Sequence, residues 1–287
     1  MNKVWINRKL VDIDKAKVSI FDRGFLYGDG VFETMRSYAG TVFKLDAHLK
    51  RLHTSLDVLG IRPPCARKRL EDAVYRTLRA NALKSAYIKL TVTRGEGRFG
   101  ISHKDAFRPN TMIVAKDFEG YPAWMFLKGI SAKVTGNRQN DLSVLSRVKS
   151  LNFLGYIMAR FEAQDMGYDE AILANTKGHI AEAATSNIFL VRKGVLITPS
   201  LLAGILPGIT RATVIGIARK LGLPVREKAV THGELVSADE VFLTNSLAEV
   251  LPVTRVDGRC IGKGRPGDIT KLLHISYQKE VIREVLR

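Results

Sequence analysis

The stretch EAATSNIFLVRKGVLITPSLLAGILPGITR, Glu182 to Arg211, carries most of the decision about the fold. Two apolar runs, NIFLV and VLITP, flank Lys193-Gly194, a pair suited to a tight turn, so the spacing predicts a hairpin of two strands. Gly208-Ile209-Thr210 then leads into a helix with Val214, Ile217, Ala218 and Leu221 on one face. Glu182 stands among small residues between two apolar strand segments, one of them EAILAN at Glu170 to Asn175. A carboxylate in that setting is expected to be partly buried and to need a partner.

Working outward, Val241 to Leu243 reads as a buried strand, Asp257-Gly258 as a second hairpin turn, and the last twenty residues as a helix. Toward the N-terminus, Leu154, Ile157, Met158 and Phe161 mark an amphipathic helix expected to start near Lys149. AYIKLTVTRG alternates: Ile88, Leu90 and Val92 belong to a core, whereas Tyr87, Lys89, Thr91 and Thr93 line a site or face water. Strands are also expected at Val4 to Ile6, Thr41 to Lys44 and Thr111 to Ala115. Asp46 is placed to cap a helix with a Leu49, Leu52, Leu56 and Leu59 stripe ending at Gly60, and a further helix is expected at about Lys68 to Ala80. Gly120, Pro122 and Gly129 break the periodicity. The expected architecture is α+β (mixed α/β) in two domains: a smaller one at 1–120, a linker at 121–133, and a larger one at 134–287.

The 287 residues suffice for this, and 46% hydrophobic with 25% charged residues is ordinary for a globular chain. The net charge of +17 is unusual, but Lys and Arg are scattered and the densest run, ARKRL, is short. Attraction of small anions is the preferred consequence over nucleic-acid binding. No apolar stretch is long enough for a membrane span, and MNKVWINRKL lacks an apolar signal core, so a cytoplasmic location is expected. Cys65 and Cys260 lie far apart in no metal spacing, and no metal is expected.

Three features could carry chemistry. Lys149, at an expected helix start, would have its charged form disfavoured by the helix dipole, as a nucleophile or Schiff-base former requires; most such lysines are simply solvated. Glu182 could face a pyridinium nitrogen and keep it protonated, or form a salt bridge within the fold. The Gly208-Ile209-Thr210 helix start, the Thr244-Asn245-Ser246 turn and Arg51 are donors suited to a phosphate, although helical spacing puts Arg51 away from the leucine stripe and toward solvent.

Together these residues resemble the class IV aminotransferases, the type IV fold of pyridoxal phosphate enzymes. That group includes branched-chain amino acid aminotransferases, D-amino acid aminotransferases and 4-amino-4-deoxychorismate lyases. EAATSNIF with LITPSLLAGILPGITR matches its signature, and FDRGFLYGDGVFETMR, HLKRL, VKSLNFLG and TNSLAEVLPV support it, from about Trp5 to about Leu273. The resemblance implies pyridoxal 5′-phosphate as cofactor, carried on Lys149 as a Schiff base. It implies that Glu182 holds the pyridine nitrogen. Arg51, Ile209, Thr210 and Ser246 would bind the phosphate, and Leu206 would pack on the ring. It also implies a homodimer with its sites at the domain and subunit interface.

For substrate, the resemblance divides. Tyr87 in YIK is similar to a carboxylate-binding tyrosine of branched-chain enzymes, and RGEGRFGI, with Arg98, is similar to their glycine-spaced loop. Phe32 suits an apolar pocket and replaces a tyrosine of D-amino acid enzymes. Leu247 is bulkier than the branched-chain counterpart, and Leu154 is more like the D-amino acid enzymes. The preferred reading is amino-group transfer between a hydrophobic, branched-chain-type amino acid and 2-oxoglutarate. The alternatives are a D-amino acid aminotransferase, an aminodeoxychorismate lyase, and a basic nucleic-acid-binding protein without catalysis.

Overall fold

The computed structural model describes residues 3–102 and 108–286. The chain divides into two compact units, Met1–Glu119 with Val148–Asn152 and Glu284–Arg287, and Gly120–Arg147 with Phe153–Arg283.

In the first unit the strands are β1 (Lys3–Ile6), β2 (Lys9–Asp12), β3 (Gly30–Tyr38), β4 (Thr41–Val42), β5 (Ala86–Thr93) and β6 (Asn110–Asp117). Among the described residues they form one antiparallel sheet in the order β2-β1-β6-β5-β3-β4. β3 and β5 pair along their length, from Gly30 opposite Thr93 to Ser37 opposite Ala86. Short α1 (Arg23–Tyr27) precedes β3, and α2 (Leu45–Val58) and α3 (Arg67–Ala80) follow β4. Leu49, Leu52 and Leu56 of α2 and Leu70, Val74 and Leu78 of α3 join Met35, Ile88, Leu90 and Val92 in one core. The alternation of β5 thus sorts as its sequence requires: the apolar positions are buried, and Tyr87, Lys89 and Thr91 stand half-buried on the other face.

Two local expectations change. The strand at Thr41 ends at Val42, because Lys44 takes a left-handed conformation (φ 54°) and starts α2. Asp46 is therefore inside the first turn, where its charge suits the helix N-terminus without capping it.

The second unit contains β7 (Ile130–Gln139), β8 (Glu170–Asn175), β9 (Ile180–Ala183), β10 (Asn187–Arg192), β11 (Val195–Pro199), β12 (Val225–Lys228), β13 (Glu240–Asn245), β14 (Glu249–Val256) and β15 (Arg259–Cys260). Among the described residues they follow the order β12-β11-β10-β13-β14-β7-β8-β9, with β15 on β14. The sheet is mixed: β7 runs parallel to β8 and β14, and β11 parallel to β12. The hairpins turn where expected, with Lys193 and Gly194, and Asp257 and Gly258, all at positive φ. Helices α4 (Ala123–Lys128), α5 (Leu154–Asp165), α6 (Ile209–Lys220), α7 (His232–Val236) and α8 (Asp268–Val285) complete the description. Among the described residues no helix is long and apolar enough to cross a membrane.

Residues 121–133, expected as a linker, instead hold α4 and the start of β7, whose Ile130 and Ala132 are core residues. Pro122 and Gly129 cap the two ends of α4, which accounts for the broken periodicity. Residues 148–152, expected inside the larger domain, belong to the first unit. A third difference concerns α5. Its buried face is Ala159 and Ala163, while Leu154, Ile157, Met158 and Phe161 are exposed. Small residues let α5 lie close to β7 and β8, and the bulky stripe faces away.

Leu56, fully buried under the first sheet, tests the packing. Leu56→Ala is expected to destabilise the chain by about 2–5 kcal/mol, read as a lower urea midpoint at unchanged slope; a loss under about 0.5 kcal/mol would contradict this core.

Candidate functional site

In the first unit, Lys149 is not at a helix start: α5 begins five residues later, at Leu154. Lys149 lies instead on a short extended segment along the edge of β3. The Phe32 N–H donates to the Lys149 carbonyl at 2.9 Å, and the Leu151 N–H donates to the Gly30 carbonyl at 2.9 Å. Ser150 pairs with Val31, which puts Lys149 on the face of β3 that carries Phe32. Gly30 permits this approach, since a Cβ there would stand 2.8 Å from Leu151 Cδ1 and 2.6 Å from the Val92 carbonyl oxygen. The helix-dipole argument for Lys149 falls away, and its surroundings are side chains. Its Nζ lies 4.7 Å from the centroid of the Phe32 ring, and Lys89 Nζ lies 4.8 Å from the same centroid.

Phe32, Thr34, Tyr87 and Lys89 share this face, because Thr34 pairs with Lys89 and Arg36 with Tyr87. Burial pushes the Tyr87 phenol up from its ordinary value, with a Thr34 hydrogen bond working the other way. On the opposite face, Glu33 points to α2. Its Oε1 accepts from Arg51 Nε at 2.7 Å, and its Oε2 accepts from Arg51 Nη2 at 2.6 Å and pairs with His48 Nδ1 at 2.7 Å. Arg51 is thus not a solvent-facing side chain; it is largely buried in a bidentate ion pair. Burial would raise the Glu33 carboxyl, but Arg51 and His48 outweigh it and hold the group at about 2. Burial keeps the His48 imidazole below its ordinary value despite Glu33. Arg98 is exposed on the loop after β5. Buried Arg23 holds that loop through the carbonyls of Gly100, Ile101 and Ser102.

In the second unit, Glu182 on β9 is 4% exposed. Oε1 accepts from the Tyr156 hydroxyl at 3.0 Å, and Oε2 accepts from Asn187 Nδ2 at 3.1 Å and from the Leu206 N–H at 3.1 Å. These donors are neutral and fix the carboxylate's orientation. Gln139 Nε2 donates to the Tyr156 oxygen at 2.7 Å and to the Gly204 carbonyl at 2.9 Å, so Tyr156 is itself held. Burial and the Glu182 charge push the Tyr156 phenol far up, keeping its proton available to donate. Asn187 also donates to the Leu206 carbonyl at 3.0 Å, which ties Leu206 to Glu182.

Ile209 and Thr210 open α6 directly after its N-cap, Gly208. A Cβ on Gly208 would stand 1.9 Å from Asn187 Oδ1, so the helix start and the Glu182 network are packed against each other. Ser246 and Leu247 occupy the turn between β13 and β14. There Asn245 Oδ1 accepts from the Leu247 and Ala248 N–H groups at 2.8 and 2.7 Å, and Asn245 Nδ2 donates to Ser186 Oγ at 2.8 Å. That last bond brings the turn to the motif that contains Glu182. Among the described residues no cluster of His, Cys, Asp and Glu is suited to a metal.

The sequence-predicted residues are therefore divided: in the first unit Lys149, Phe32 and Tyr87 share one face of the sheet, with Arg51 on the other and Arg98 on the exposed loop, and Glu182, Leu206, Ile209, Thr210, Ser246 and Leu247 lie in the second. Sequence reasoning missed Glu33, His48, Tyr156, Gln139 and Asn187. Glu33, His48 and Asn187 lie inside motifs singled out above, VFETMR, HLKRL and EAATSNIF, and a buried Arg51 or Glu182 demands partners of this kind.

The family model for Amino-transferase class IV matches residues 30–256. The chain belongs to the class IV aminotransferases. It is 43% identical over 277 residues to a putative branched-chain-amino-acid aminotransferase of Methanocaldococcus jannaschii, covering 96% of this chain and 95% of that one. It is 34% identical over 289 residues to a D-alanine aminotransferase of Bacillus licheniformis, covering 99% of each. The fold superposes with a TM-score of 0.94 on a T.th. branched-chain amino acid aminotransferase solved with pyridoxamine 5′-phosphate, at 32% identity over 99% of this chain and 95% of that one. The protein is accordingly an enzyme of the α+β class IV fold, and its substrates are small molecules. Class IV aminotransferases work with pyridoxal 5′-phosphate. The residues present fit such a group: an amine on a fixed backbone, a carboxylate oriented by three donors, and a twelve-residue helix opening on backbone N–H groups.

The buried triad gives a pH dependence of stability. Glu33 binds its proton at about 2 in the folded chain against an ordinary 4.5, so between these values the unfolded chain takes up a proton that the folded chain refuses. Its contribution is complete above about 4.5 and drains as pH falls toward 2. His48, lowered from 6.5, adds a loss that begins as pH falls through that value, because the unfolded imidazole protonates first. Urea denaturation from pH 8 to pH 3 is expected to show both, and Glu33→Gln to flatten the lower window; an equally steep lower window in the variant would contradict this assignment.

Proposed function

We propose that this enzyme transfers the amino group of hydrophobic, branched-chain-type amino acids to 2-oxoglutarate. The observation that carries the reading is the Phe32 ring beside Lys149 Nζ, an apolar wall against the reacting amine. The identity to the M. jannaschii relative supports the same choice.

Pyridoxal phosphate, when bound, supplies an aldehyde to the amine and a ring that accepts the electron pair left on the substrate Cα. Lys149 Nζ would be the group that carries the cofactor and the base for the substrate Cα proton, its backbone held by the Phe32 N–H. Glu182 would accept a hydrogen bond from the ring nitrogen, and Tyr156, Asn187 and the Leu206 N–H keep that carboxylate from turning away. Leu206 would pack against the ring. Arg51, the Ile209 and Thr210 helix start and Ser246 would hold the phosphate, the first by a charge-assisted fork and the helix by the N–H groups of its first turn. Tyr87, Arg98 and Leu247 meet the substrate, with Tyr87 protonated and able to donate to its carboxylate. We also propose a homodimer: the exposed stripe of Leu154, Ile157, Met158 and Phe161 on α5 is apolar surface that a second copy would cover.

A second reading, transamination of D-amino acids, is supported by the end-to-end likeness to the D-alanine enzyme.

The holoenzyme is expected to show a near-visible cofactor band that borohydride abolishes and that Lys149→Ala lacks. L-Leucine is expected to convert the band to the amine form and D-alanine not to. Conversion by D-alanine alone would select the second reading, and release of pyruvate from aminodeoxychorismate without an amino acceptor would mark a lyase.

Sedimentation should give a dimer that Phe161→Asp weakens at least about tenfold without loss of helical signal. A monomeric parent chain would refute the assembly.

A further inference from the structure

The Glu33 ion pair is more specific than packing requires. The carboxylate is fully buried, both of its oxygens are engaged, and two of its three contacts come from one guanidinium. Those two use the Nε–Nη2 edge of Arg51. A guanidinium is a rigid planar fork, so seizing one edge sets both its plane and the direction of its Nη1–Nη2 end. His48, itself 2% exposed, occupies the Glu33 oxygen that Nη2 also uses and prevents the carboxylate from rotating. Its low proton affinity fits a neutral imidazole that donates through Nδ1.

As a device for stability alone, such a pair is a poor choice, since buried ion pairs are often replaced by apolar side chains at no loss. What it supplies is direction. Glu33 also follows Phe32, whose N–H holds the Lys149 carbonyl, so one turnless stretch of β3 fixes the backbone of the reacting lysine and the aim of Arg51.

We propose that Glu33 is a positioning residue for the cofactor phosphate, clamping Arg51 so that the Nη1–Nη2 end of the guanidinium meets a phosphate oxygen pair, with His48 locking the clamp. This rests on the reading of Arg51 as a phosphate ligand. Because the negative Glu33 repels the negative phosphate, its benefit is orientational, and the effect of losing it is confined to ligands that carry the phosphate. Glu33→Gln keeps the shape but turns an N–H₂ toward the donors of Arg51 or His48, which frees the fork.

The test uses the full chain stripped of cofactor and titrated separately with pyridoxal phosphate and with pyridoxal, which lacks the phosphate, following the near-visible band. The quantity read is the ratio of the two affinities. Glu33→Gln is expected to lower it on the order of tenfold, Arg51→Ala to lower it at least as much, and the double variant to go no lower than Arg51→Ala. An unchanged ratio in Arg51→Ala defeats the phosphate-ligand reading itself. A lowered ratio in Arg51→Ala with an unchanged one in Glu33→Gln, or equal weakening of both ligands by Glu33→Gln, defeats only the positioning role. Should Glu33→Gln fail to fold, His48→Gln decides: a reduced ratio supports the clamp and an unchanged one overturns it.

Discussion

The hydrogen bond from the Phe32 N–H to the Lys149 carbonyl is the constraint on which the candidate residues of the first unit depend. With its companion from Leu151 to Gly30, it ties residues 148–152, through a single bridge at Ser150, to the edge of a sheet whose strands lie before residue 118. A long, flexible lysine gains definition only from its backbone, and this backbone is tied to a strand that is itself paired to β5 throughout. The same strand distributes its side chains by alternation: Phe32 goes to the face of the amine, and Glu33 to the face of Arg51 and His48. Gly30 is the concession that lets the edge come close.

The candidate residues of the second unit are organised around a carboxylate and neutral donors. Glu182 is held by a phenol, a carboxamide and a backbone N–H, and each of these is held in turn. Gln139 bridges Tyr156 to the Gly204 carbonyl, and Asn187 bridges Glu182 to the Leu206 carbonyl. Neutral donors stabilise the charged form while leaving it able to answer a cation brought by a ligand. The packing of Gly208 on Asn187 joins this network to the start of α6, so Glu182 and the proposed phosphate-binding helix start share one rigid support.

Much of this is legible in the sequence where period and turn chemistry agree. The β5 alternation, the Lys193-Gly194 and Asp257-Gly258 hairpins and the α6 start each follow from local rules, and the structure contains them. The failures have physical causes. The Leu154, Ile157, Met158 and Phe161 stripe has helical spacing, but spacing does not say what covers a face, and alanines form the buried side of α5. Gly120, Pro122 and Gly129 punctuate a short helix as readily as a linker. The continuous apolar pattern after Lys149 suggests a helix start there, whereas tertiary pairing with β3 draws residues 148–152 into an extended form. Individual polar residues are legible from motif company; their partners, such as Glu33 for Arg51 and Tyr156 for Glu182, need the fold.

The excursion of residues 148–152 also orders events during synthesis. Until Leu151 has left the ribosome, the Gly30–Phe32 part of β3 presents the backbone groups of an open edge, the kind that recruits stray strands. The nascent first unit must wait, with that edge exposed, while the Gly120–Arg147 part of the second unit is made. A fragment ending at Glu119 would keep the edge permanently, so the continuous N-terminal stretch is an unfinished object whose edge cover is encoded farther along the chain.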